Sequence, residues 1–71
     1  MDRTKLDEIY EVALAEMAKH NIPDTPENRL DFLIGIREAW IEDGTVSFVK
    51  WLYLITIGNE ITRLREEIAK Q

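Results

Sequence analysis

The chain has no cysteine, which removes disulfides and thiolate metal sites as sources of stability. Its single histidine, His20, leaves no basis for an imidazole zinc site. No apolar run approaches the roughly 20 residues needed to cross a bilayer. The longest, 46–57 (VSFVKWLYLITI), falls short of that and carries Lys50. Basic residues are outnumbered 9 to 14, for a net charge of −5. Nucleic acid and anionic lipid repel such a balance, so neither a direct nucleic-acid partner nor a membrane is expected. The opening residues, MDRTKLDE, hold no apolar signal region. Export is therefore not expected, and the lack of cysteine is compatible with the cytoplasm.

What is present suits a globular fold. Apolar residues make up 45% and charged residues 32%, which argues against disorder. A chain of 71 residues fits one domain, 1–71. A core of that size rarely supplies more than about 3–5 kcal/mol. Small domains add disulfides, a metal or a partner subunit. With the first excluded and the second without ligands, association is the remaining route.

Prolines and glycines are few, and they divide the chain into three helical segments, about 4–20, 26–42 and 46–70. In the first, Leu6, Ile9, Tyr10, Ala13 and Met17 follow one helical face. Asp7, Glu8, Glu11 and Lys19 fall mostly on the other side. Thr4 and Asp7 have the spacing of a capping box. Asn21 suits the left-handed position after the helix, Ile22 can fold back on Met17, and Pro23 prevents continuation.

Asp24-Thr25-Pro26-Glu27 is a helix start, with Thr25 as cap, Pro26 at the first helical position and Glu27 at the positive helix end. The apolar arc of this second helix is wide: Leu30, Leu33, Ile34, Ile36, Trp40 and Ile41, with Phe32 and Ala39 at its margin. Gly35 sits mid-helix, where it costs about 1 kcal/mol relative to alanine, and close approach of a neighbour would account for it. Asp43-Gly44 ends the helix.

Thr45 or Ser47 can cap the third helix. Its first half has high β-propensity, but a lone strand between helices has no pairing partner, so helix is the expectation. Leu54, Ile57, Ile61, Leu64 and Ile68 recur at the spacing of a coiled-coil seam. Gly58-Asn59 is a weak point, yet the seam keeps its phase across it. A second apolar side, Phe48, Trp51, Leu52 and Ile55, continues in polar residues at Asn59, Thr62 and Glu66. A helix apolar on two sides must be covered on both. The seam admits two readings: packing on the chain's own first helix, or a zipper between copies in which Glu60 and Arg65 meet across chains. Both stripes are candidate interface residues.

Several polar residues invite a functional reading. Lys50 and Arg37 interrupt apolar stripes. The simpler account is a buried stem with the charge carried to the edge; the sharper one is an ion pair with a glutamate or a partner's carboxylate. Glu27, Asp31, Glu38 and Glu42 form an acidic stripe that suits a solvated face, or mimicry of a phosphate backbone. Glu8/Glu11 and Glu38/Glu42 could supply inward carboxylates to a metal, but both pairs fall on expected outer faces and no Glu-x-x-His accompanies them. His20 stands at a helix end, where it complements the helix dipole. No serine beside a base and no phosphate-cradling glycine motif is visible, so no catalytic, metal or cofactor residue is assigned.

The sequence thus predicts an all-α domain, a three-helix bundle or a helical hairpin plus a long C-terminal helix, completed by dimerisation. The expected role is a non-catalytic protein–protein interaction module: a regulator, adaptor or inhibitor that self-associates. The alternative is an acidic decoy for a nucleic-acid-binding protein. Trp40 and Trp51 are core candidates, with Trp51 the better interface candidate.

Overall fold

The computed structural model describes residues 4–44 and 47–71. It contains three helices: α1 (Lys5–Lys19), α2 (Pro26–Glu42) and α3 (Phe48–Ala69). No strand occurs among the described residues.

Local chemistry accounts for the boundaries. The Thr4 side chain accepts from the backbone of Asp7, and the Asp7 carboxylate accepts in return from Thr4, completing a capping box. At the other end of α1, Asn21 takes φ 58°. The Ile22 N–H reaches the Met17 carbonyl at 2.8 Å, and the Asn21 N–H reaches Ala18 at 3.1 Å. These two bonds make a Schellman closure. Thr25 caps α2 by accepting from Asn28, with Pro26 opening the helix. Gly44 stops it with φ 73°, a conformation that glycine adopts without Cβ strain. Of the two candidate caps for α3, Ser47 does the capping, accepting from the Lys50 N–H at 3.1 Å. Thr45 and Val46 lie outside the described residues, so the expected start at 46 falls there. Helix α3 continues through Gly58 without interruption.

Ile9 of α1, Leu33 of α2, and Ile57, Ile61 and Leu64 of α3 form the core cluster. Tyr10, Leu30, Ile34, Ile36, Trp40 and Tyr53 pack around it, partly buried. Ala13 and Met17 extend the buried face of α1. The seam of α3 is therefore filled by both other helices, not by the first alone. Ile41, expected in the α2 arc, is exposed. Its neighbour Trp40 is the residue of that turn that packs against the core. Gly35 has no neighbour that a Cβ would meet within 4 Å, so close approach does not account for it.

Candidate functional site

The outer face of α3 carries the largest exposed apolar side chains. Phe48 is 72% exposed and Trp51 50%. Their rings stack with centroids 6.2 Å apart and planes 29° from parallel. Ile55 follows one turn later, also exposed, with Leu52 half-buried beside it. Beyond them Asn59, Thr62 and Glu66 are exposed and polar, so the patch is short. Val49 widens it at one margin.

The second stripe is disposed differently. Ile57, Ile61 and Leu64 are sealed in the chain's own core, while Leu54 and Ile68 are half-buried. As interface candidates the three core residues are corrected: a side chain already covered by α1 and α2 has no apolar surface left for a second chain. The zipper partner assigned to Glu60 changes with them. Glu60 is buried at 4% exposure and faces inward, while Arg65 is exposed.

Glu60 is the hub of a polar network joining all three helices. The Tyr10 hydroxyl of α1 donates to its carboxylate. Arg63, one turn along α3, grips both oxygens, Nε to Oε1 at 2.6 Å and the guanidinium NH2 to Oε2 at 2.8 Å. Arg63 also reaches Glu67 at 3.3 Å. The Arg29 guanidinium of α2 lies over the Tyr10 ring, 4.8 Å from its centroid, within cation–π range. Asp24, in the turn before α2, holds Arg29 through both carboxylate oxygens. The arginine at its side holds the Glu60 carboxyl below its ordinary range, with Tyr10 acting in the same direction and burial opposing. Burial, then the Glu60 carboxylate, push the Tyr10 phenol up to about 12. Arg29 likewise keeps Asp24 below the usual carboxylate range.

A second tyrosine–glutamate clamp joins the same two helices. The Tyr53 hydroxyl of α3 donates to Glu8 of α1, which pushes the Tyr53 phenol up. Tyr53 also meets Trp40 of α2 edge-on, with centroids 6.1 Å apart and planes at 86°. Glu8, expected on the outer face of α1, is therefore half-buried at a helix boundary.

Lys50 is met by an aspartate rather than a glutamate. Its side chain is 18% exposed, and Nζ reaches the exposed Asp43 at 3.2 Å, so the stem is buried and the charge sits at the edge. Arg37 is half-buried and makes no ion pair among the described residues. His20 is exposed at the end of α1, 3.6 Å from Glu16. Glu27, Asp31, Glu38 and Glu42 all face solvent. No helix among the described residues is long and apolar enough to cross a membrane.

Periodicity alone did not reveal the Glu60 network, although it held a signal. Glu60 lies three residues after Ile57 and four before Leu64, on the buried stripe itself. A carboxylate there requires partners. Compared with models of known protein families, with curated proteins and with solved structures, the chain matches none.

Proposed function

We propose that this all-α domain is a small, acidic, non-catalytic interaction module that pairs with a second copy through the outer face of α3, and that it serves as a regulator, adaptor or inhibitor. The observation that carries this reading is the stacked, solvent-exposed pair Phe48 and Trp51. Exposed aromatics of this size forgo the burial that favours association, and tryptophan is the residue most enriched at binding hot spots. With Leu52 and Ile55 they form a compact stripe. Set antiparallel across a two-fold axis, such a stripe covers itself, as an isologous interface requires. A cytoplasmic setting is part of this proposal, and the lack of cysteine is compatible with it.

Sedimentation equilibrium of the intact chain tests the proposal. A dimer is expected at micromolar concentration or above, and it should persist as salt rises because the contact is apolar. A monomer up to millimolar concentration overturns it. The exposed acidic stripe of α2 supports the decoy alternative, in which binding to a nucleic-acid-binding protein weakens steeply with salt.

A further inference from the structure

A concave surface is built from residues other than those of the Phe48 and Trp51 patch. It is a groove of about 290 Å³ between α1 and α2 with Tyr53 of α3 as one wall, lined by Glu8, Ile9, Val12, Ile36, Trp40 and Tyr53. That volume is at the small end of the range for ligand sites, roughly 300–1,000 Å³. Five of the six walls are apolar or aromatic, and Val12 at the edge is 62% exposed.

Glu8 brings the only charged group to these walls. It has no cationic partner among the described residues; its contact is the Tyr53 hydroxyl. That bond anchors the carboxylate beside the groove and leaves the remaining lone pairs for a donor. Two walls are aromatic, Trp40 and Tyr53, set nearly perpendicular. Aromatic faces attract ammonium groups, tryptophan most strongly. A carboxylate and two aromatic rings around an apolar hollow are complementary to one ligand chemistry: an apolar body with a cationic nitrogen.

We propose that the groove between α1 and α2 binds small amphiphilic organic ammonium compounds, with the apolar body against Ile9, Val12 and Ile36 and the ammonium beside Glu8, Trp40 and Tyr53. A primary amine is protonated at neutral pH, as lysine is, so it enters as the cation. A neutral analogue gains the apolar contact alone. An anionic analogue meets Glu8 as a like charge.

The test uses the intact chain and three probes of one shape: 2-phenylethylammonium, 2-phenylethanol and 3-phenylpropionate. Amide and indole NMR shifts report the site, which separates Trp40 from Trp51. The ammonium is expected to saturate shifts at Val12, Ile36 and Trp40, and to bind roughly tenfold tighter than the alcohol, the gain of a partly desolvated cation–π and carboxylate contact. Added salt should narrow that gap, and the anion should bind weakest. In Glu8→Gln the gap should narrow to what the Trp40 and Tyr53 rings supply. Val12→Trp, at an exposed position, should block the groove while the far-ultraviolet circular dichroism stays unchanged.

Equal binding of ammonium and alcohol by the unaltered chain overturns the proposal, as do shifts centred on Phe48 and Trp51 or shifts that never saturate. If the groove resonances move with protein concentration alone, a second copy fills the groove and the proposal fails. Should Glu8→Gln unfold, the salt response and the comparison of the three probes on the unaltered chain decide the matter.

Discussion

The hydroxyl of Tyr10 in α1 donates to the buried carboxylate of Glu60 in α3, across 50 positions of sequence. A carboxylate removed from water is costly unless its lone pairs are met. Here a phenol and the forked guanidinium of Arg63 meet them together. The Arg29 guanidinium lies over the same tyrosine ring, so the network ties α1 to both of the other helices. Apolar packing is tolerant of small shifts, whereas a bidentate pair and a phenol demand one relative placement.

Tyr10→Phe should therefore cost about 1.5–3 kcal/mol, the range for hydrogen bonds to charged groups. In a cycle with Glu60→Gln, the two changes should couple by about 0.5–3 kcal/mol, as contacting residues do. Urea melts of the four proteins measure the coupling; additive losses would show that the bond contributes nothing of its own.

Stability should fall at both extremes of pH. The Tyr10 phenol rises to about 12 in the folded chain, above its ordinary value near 10. Its contribution is complete below pH 10 and is lost as pH climbs through about 12, because the unfolded chain releases the proton first. Glu60 is held below its ordinary range. Its contribution is present above the usual glutamate value and disappears as pH falls through the lowered one. Unfolding midpoints measured from acid to alkaline pH should show both shoulders. The alkaline one should shrink in Tyr10→Phe but not vanish, since Tyr53 is shifted in the same direction.

Gly35 and Gly58 lie inside helices, and a Cβ at either would meet nothing within 4 Å. Alanine at each should stabilise the fold by up to about 1 kcal/mol, from helix propensity and a less flexible unfolded chain. In a domain of this size that corresponds to roughly 4–8 °C in Tm. A lower Tm for Gly58→Ala would mean that α3 needs its freedom at that point.

Ile61→Asp should destabilise by several kcal/mol, because it places an unpaired carboxylate in the core. Glu66→Ala, on an exposed position of the same helix, should stay within about 0.5 kcal/mol. Urea melts that fail to separate the two variants would contradict the orientation of α3.

Trp51→Ala should leave the monomer folded, since half of that side chain already faces solvent. It should weaken self-association by about 2 kcal/mol or more if Trp51 is a hot spot. Circular dichroism and sedimentation equilibrium together separate the outcomes. A variant that unfolds assigns Trp51 to the core; one that dimerises like the parent removes it from the interface.

Helix boundaries were legible in the sequence because the forces that set them act within four or five residues. Thr4 with Asp7, Thr25 with Asn28, and Ser47 with Lys50 each close a terminus using atoms of one turn. The apolar stripes were equally plain, since periodicity is a property of consecutive residues. Which stripe of α3 turns inward was not. Phe48, Trp51 and Ile55 are as apolar as Ile57, Ile61 and Leu64, and only the arrival of Ile9 and Leu33 from the other helices decides between them. The same holds for polar partners. Glu60 was readable as a zipper charge while its surroundings were unspecified. Tyr10 and Arg29, from two other helices, complete its setting. Side-chain periodicity determines what each helix offers; burial depends on what stands opposite, and that is decided only when distant segments meet.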